Sequence, residues 1–123
     1  MERDTRQRRA IRQALEGAGR PLAPGEVLAE ARAAEPGLSL ATVYRNLRAL
    51  ASDGFIVPVA LPGEPDRFEV AGKGHHHHFH CRACDRVFEV EGCGGAMAAP
   101  PGFSLEGHEV LLYGLCAACS PAR

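Results

Sequence analysis

The sequence predicts an α+β fold in two modules. The first, residues 1–72, is helical and ends in a β-hairpin. The second, residues 73–123, is small and built around metal ligands. Three observations carry this reading. All six His and all five Cys fall between positions 75 and 119. Arginine runs the other way, with ten of thirteen in residues 1–67. The helical spacing of apolar residues also stops near Gly54, giving way to short runs rich in Val, Ile and Phe.

The first helix is expected over residues 5–18, where Ile11, Ala14, Leu15 and Ala18 recur at helical spacing. Arg6, Arg8, Arg9 and Arg12 crowd its early turns, and Gly17, Gly19 and Pro21 end it. A second is expected over residues 24–34. It opens on Pro24, which suits a first helical turn, buries Val27, Leu28 and Ala31, and stops at Pro36-Gly37. The third starts after Ser39, a good N-cap, and carries an apolar stripe of Leu40, Val43, Leu47, Leu50 and Ala51 as far as Gly54. Its opposite face holds Ala41, Thr42, Arg45 and Arg48, with Tyr44 on the flank.

Residues 55–61 and 67–70 read as two strands separated by the turn cluster Pro62-Gly63-Glu64-Pro65-Asp66, which makes a hairpin. Three helices and a hairpin are the layout of a winged helix-turn-helix. In that layout the third helix enters the DNA major groove and the hairpin is the wing. Residues 71–74 read as a hinge. Beyond it, residues 75–81, 87–91 and 108–115 read as short strands. The Gly- and Pro-containing stretch 92–102 has room for a brief helix at most.

Cys81-x-x-Cys84 with Cys116-x-x-Cys119 is the strongest chemical signal. A two-residue gap lets both sulfurs of a knuckle reach one ion, and two knuckles complete a tetrahedral thiolate set for structural Zn(2+). A thioredoxin-like redox pair would need a βαβ setting that is missing here, and rubredoxin-type iron would colour the protein red. A module of about 50 residues also needs a staple to fold. The run His75-His76-His77-His78 is the second signal. It is internal, so it is not read as an affinity-tag remnant. On a strand, His76 and His78 share one face and His75 and His77 the other, so each pair can anchor a separate ion. A solvated His run without a role is the plain alternative. His80 is expected to be an exposed strand residue. The outward Tyr44, Arg45 and Arg48 suit contacts to phosphate and base edges, a weak signal alone that gains force from its place before a wing.

These residues together resemble the ferric uptake regulator superfamily. The match runs through Leu40-Ala-Thr-Val-Tyr-Arg-Asn-Leu, Arg67-Phe-Glu-Val, residues 75–84, and Leu112-Tyr113-Gly114 before Cys116, in order and spacing across nearly the whole chain. The resemblance implies a homodimer with an N-terminal winged helix and a C-terminal α/β dimerisation domain. It also implies a repressor that binds palindromic double-stranded operators when metal-loaded. Residue by residue, it implies that Cys81, Cys84, Cys116 and Cys119 hold structural zinc. Glu69, His76, His78 and Glu89 would form the regulatory site near the hinge, for Zn(2+) or Fe(2+)/Mn(2+). His75, His77 and His108 would form an additional site, with His77 standing where many relatives have Asp. Tyr44 and Arg45 match the residues that touch DNA, and Thr42, Arg48 and Arg8 are expected to join them.

Two departures stand out. Leu22 occupies the place from which the family often supplies a regulatory His, and residues 1–74 contain no His. The segment 91–101 is short for the family and rich in Gly, Ala and Pro, which curtails the helix that carries a carboxylate ligand in relatives. Glu91 or Cys93 is a candidate substitute in the additional site, with Cys93 as an incidental small buried residue the plain alternative. The His-rich cluster favours the zinc uptake branch. Iron-, manganese- and peroxide-responsive branches are the alternatives, and a zinc storage or delivery protein is the alternative from another class. An enzyme is not expected, because neither H-E-x-x-H nor the deaminase pattern occurs. No run of apolar residues is long enough to span a membrane and no secretory signal opens the chain, so the expected location is the cytoplasm. No small-molecule substrate is expected. The formal net charge of −1, with neither module basic overall, means that DNA affinity has to come from arranged arginines and dimerisation rather than bulk charge.

Overall fold

The computed structural model describes residues 2–92 and 98–121. The chain divides into two compact units, Met1–Lys73 and Gly74–Arg123. In the first unit α1 (Glu2–Ala18), α2 (Pro24–Ala31) and α3 (Leu40–Ser52) precede β1 (Ile56–Leu61) and β2 (Glu64–Val70). In the second, β3 (His76–Cys81), β4 (Val87–Glu91) and β5 (Leu111–Gly114) form a sheet ordered β4-β3-β5. The described residues are thus α+β, with the helices in one unit and the three-stranded sheet in the other. No described helix is long and apolar enough to cross a membrane.

The first unit closes on hydrocarbon. Ile11 and Leu15 of α1, Val27 and Ala31 of α2, and Val43, Leu47 and Leu50 of α3 meet Leu22, Leu38 and Ile56 in one core. Ser39 caps α3 as its sequence suggests, its Oγ accepting from the Thr42 backbone N–H at 3.2 Å. Leu40 departs from the expected stripe: it is 43% exposed, because α3 begins one turn ahead of its first core residue, Val43. α2 is shorter than the expected 24–34 and ends in turns after Ala31. Its N-terminus is closed by Glu26, whose Oε1 accepts from the Ala23 N–H at 3.0 Å. The same carboxylate pairs with Arg20 at 2.9 Å and with the buried Arg67 of β2 at 3.4 Å, tying the helix to the wing.

The wing is longer than the spacing suggested. β1 and β2 pair antiparallel from Ile56↔Val70 to Leu61↔Glu64, leaving Pro62-Gly63 as the turn. Gly63 lies at φ +72°, a conformation that favours glycine, and Pro-Gly is the residue pair of a type II turn. Pro65 falls inside β2, tolerated because a two-stranded sheet leaves each strand an open edge.

In the second unit β3 pairs antiparallel with β4 and parallel with β5. β5 begins at Leu111 rather than 108, so His108 precedes it. Residues 98–110 form no helix or strand. Cys93, named above as a substitute ligand, lies outside the described residues, as do residues 94–97 of the stretch with room for a brief helix.

Candidate metal centres and nucleic-acid face

β3 and β5 deliver the four cysteines. Cys81 is the last residue of β3 and is fully buried. The chain turns through Cys84 to Asp85, whose φ of +65° is left-handed and whose N–H bonds the Cys81 carbonyl at 3.0 Å. Parallel pairing sets Gly114 beside Cys81, so Cys116 arrives two residues later. A Cβ at Gly114 would stand 3.2 Å from the Phe79 ring, so glycine lets β5 lie this close. The four Sγ atoms all lie within 4.8 Å of one another, and Cys84 and Cys116 are 3.9 Å apart. A tetrahedron with zinc–sulfur bonds of about 2.3 Å has edges of about 3.8 Å, so this donor set fits the ion.

The thiols are electrostatically unequal. Backbone N–H groups of Cys84 and then Cys116 point at Cys81 Sγ, at 3.5 and 3.4 Å, and push its pKa down to about 6. Hydrogen bonds to Cys116 and Cys81, with burial, push Cys119 up to about 12. The first thiolate therefore forms readily, while the last proton stays until a cation displaces it.

A second cluster forms where β3 begins. His77 is buried, with its Nε2 3.1 Å from His75 Nε2 and 3.2 Å from His108 Nε2. Metal–nitrogen bonds near 2.05 Å give ligand separations of about 2.9 Å at right angles and about 3.4 Å in a tetrahedron. The observed spacing lies between them. Desolvation first, then the imidazoles of His75 and His108, lowers the His77 pKa and favours the neutral, ligand form.

On the other face, the His76 and His78 rings are 4.9 Å apart, and His76 Nε2 lies 3.6 Å from Glu89 Oε1 of β4. His76 Nδ1 is 2.7 Å from the Gly74 carbonyl, which can only accept, so Nδ1 carries a proton and, in the neutral ring, Nε2 keeps the lone pair for an ion. Glu69 belongs to the other unit, on β2, where it is buried with Lys73 Nζ 3.9 Å from its Oε2. Leu22, which replaces the family's His, is a core residue. It exchanges backbone hydrogen bonds of 2.8 and 2.9 Å with Phe68, the residue before Glu69. His80 corrects the expectation of exposure: it is buried and lies 2.7 Å from Asp85 Oδ1. That contact spans the knuckle, where sequence spacing alone gives no pairing.

On the first unit, Tyr44, Arg45 and Arg48 are exposed along α3. Thr42 is committed to the helix cap, accepting from Ser39 Oγ at 3.0 Å. Arg6 pairs with Glu35 at 3.3 Å, and Arg12 stacks 4.2 Å above Phe55. Arg8 donates through Nε to Asn46 Oδ1 at 2.9 Å. Asn46 was missed in the sequence, although it lies three residues after Val43 and four before Leu50, the spacing of the buried face.

Residues 2–113 match the sequence profile of the ferric uptake regulator family. A ferric uptake regulation protein of Campylobacter jejuni is 31% identical over 123 residues, covering 94% of this chain and 78% of that protein. The solved ferric uptake regulator of Helicobacter pylori, described with three functional metal-binding sites, superposes with a TM-score of 0.68 at 25% identity, covering 94% of this chain and 81% of that one. FurB of M. tuberculosis, a zinc uptake regulator, superposes with a TM-score of 0.55 at 28% identity, covering 97% and 96%. The chain belongs to the ferric uptake regulator family of metal-responsive transcriptional regulators.

Proposed function

We propose that this chain is a zinc-responsive repressor that binds palindromic operator DNA as a homodimer. The observation that carries the reading is the pair of imidazole clusters on opposite faces of β3, directly after a winged-helix unit. In this reading Cys81, Cys84, Cys116 and Cys119 hold a structural zinc that keeps the second unit folded. His76, His78 and Glu89 hold the regulatory ion with Glu69, which lies four residues before the end of the first unit. His75, His77 and His108 form the additional site. The nitrogen-only trio of the additional site, beside thiolates, suits zinc, whereas Glu69 and Glu89 of the regulatory site also suit iron and manganese, so the metal titration below decides which ion is sensed.

Glu69 does the mechanical work in this scheme. Leu22 supplies no ligand, so Glu69 at the end of the wing is the link from the DNA-binding unit to the ion. Closing that link restricts the hinge, so that two α3 helices can meet half-sites about one helical turn, ~34 Å, apart. Without it, DNA binding has to bear the ordering cost itself. Operator DNA then tightens the regulatory site by the same factor that the ion tightens DNA binding.

Anisotropy titrations of labelled duplex with Zn(2+), Fe(2+) and Mn(2+) supplied separately test the reading. Zinc is expected to promote binding at the lowest free concentration. Binding unchanged by chelation that spares the structural zinc would sink it. Replacing Glu69 by Ala is expected to weaken zinc-dependent DNA binding by about tenfold or more, with the fold retained. Loss of the fold instead would make Glu69 a structural residue. A storage or delivery protein would bind the same ions and no duplex.

A further inference from the structure

Asn46 is a buried polar side chain on the helix assigned to DNA reading, 6% exposed beside Val43 and Leu47. Burying an amide there is costly unless both of its ends are bonded. Both are: Nδ2 donates to the Thr42 carbonyl at 2.9 Å, and Oδ1 accepts from Arg8 Nε of α1 at 2.9 Å. The second bond reaches across 38 positions of sequence.

The consequence lies on Arg8. Its Nε is used, which fixes the plane and direction of the guanidinium. The two terminal nitrogens keep four N–H donors in a planar fork, and no acceptor for them is seen among the described residues. Arg8 itself is exposed. A guanidinium held this way has already lost much of the rotamer freedom that binding would otherwise take from it. A planar fork suits two oxygens of a phosphodiester. Arg8 stands on a helix packed beside α3 rather than on α3 itself. In helix-turn-helix docking, helices beside the recognition helix meet the sugar–phosphate backbone while the recognition helix enters the groove.

We propose that Asn46 is a positioning residue for DNA: it locks Arg8 of α1 against α3, so that the guanidinium fork engages a backbone phosphate in fixed register with Tyr44 and Arg45. This rests on the DNA-binding reading above. The contact is sequence-neutral. It contributes affinity and docking register, and the bases are read elsewhere.

The test is a double-mutant cycle on the full-length, zinc-loaded chain. The probe is a duplex selected by the wild-type protein from a random pool, read by anisotropy over a range of salt concentrations. Arg8→Ala is expected to weaken binding on the order of tenfold and to lower the slope of log K against log salt by about one per protomer. A scrambled duplex should lose the same factor. Asn46→Ala should cost a similar factor alone and nothing further in the Arg8→Ala background. Asn46→Asp is nearly isosteric and keeps the acceptor. It should pair with Arg8, occupy the fork, and lower both affinity and salt slope, again only while Arg8 is present.

Losses that multiply in the double variants would overturn the proposal. So would an Arg8→Ala loss confined to the selected duplex, which would mark a base contact. Failure of both Asn46 variants to fold would make Asn46 a packing residue and overturn it too. If the wild-type protein selects no duplex, the DNA-binding reading itself falls, an outcome distinct from all of these.

Discussion

The two units solve the same problem with different materials. In Met1–Lys73, Ile11, Leu22, Val27, Val43, Leu47 and Ile56 are each at most 2% exposed, and they come from three helices, a connecting segment and a strand. Among the described residues of Gly74–Arg123 the buried ones are Cys81, Val87, His77 and His80, so only Val87 of these is plain hydrocarbon. Phe103, Leu105, Leu112, Tyr113 and Leu115 of that unit are all more than 40% exposed. Water exclusion holds the first unit. The second has placed metal-binding atoms where a core would be, which ties its stability to an ion.

The sharpest way to break this contrast is to remove the thiolate site. Cys81→Ser, or stripping zinc with a strong chelator, should unfold the second unit while the three helices persist. Structural zinc contributes roughly 10–16 kcal/mol of apparent binding energy in zinc-finger peptides, more than a sheet with so little apolar burial can replace. Hydrogen exchange resolves the two units: amides of β3, β4 and β5 should lose protection and those of α1 and α3 keep it. Protection retained in β3 without zinc would show a core that the contrast denies. Acid should act in the same direction. Cys119, pushed up to about 12, still carries its proton in the zinc-free state near neutrality, so zinc uptake releases protons and affinity rises with pH. Lowering the pH should therefore weaken retention of zinc, because protons compete with the ion for the thiolates.

The converse variant is Leu47→Ala, which opens a cavity in the hydrocarbon core, where Leu47 is 1% exposed. Such truncations cost about 2–5 kcal/mol. The thermal midpoint of the first unit should drop while zinc content and β3 protection stay unchanged. A coupled loss in both units would mean that they fold as one.

How much of this could be read in the sequence follows the same division. Val43, Leu47 and Leu50 announce their burial by spacing alone, because helical periodicity is local. The Cys-x-x-Cys pairs are equally local, and their joining needs only that the strands bearing them lie side by side. What could not be read is long-range polar pairing. Nothing near Arg67 says that its guanidinium is buried against Glu26, 41 positions away. Asp85 in a left-handed conformation against His80 depends on how the knuckle turns, not on residue type. The His108 contribution is legible only through family resemblance, since a separation of 31 positions from His77 carries no periodic signal.

The smallest effect worth measuring lies at the start of α3, where stability and DNA contact can be separated. Ser39 Oγ accepts from the Thr42 N–H and donates to Thr42 Oγ1, closing the first turn. Ser39→Ala removes both bonds and should cost about 1 kcal/mol, seen as a lower thermal midpoint of the first unit. Ser39→Asp restores the acceptor and places a negative charge at the positive end of the helix dipole, so the midpoint should return to the wild-type value or above it. The same charge would sit at the end of the helix assigned to the groove, so DNA binding should weaken even as stability recovers. If Ser39→Asp restored both, the N-terminus of α3 would lie away from the phosphates. The recognition surface would then be confined to the later turns carrying Arg45 and Arg48.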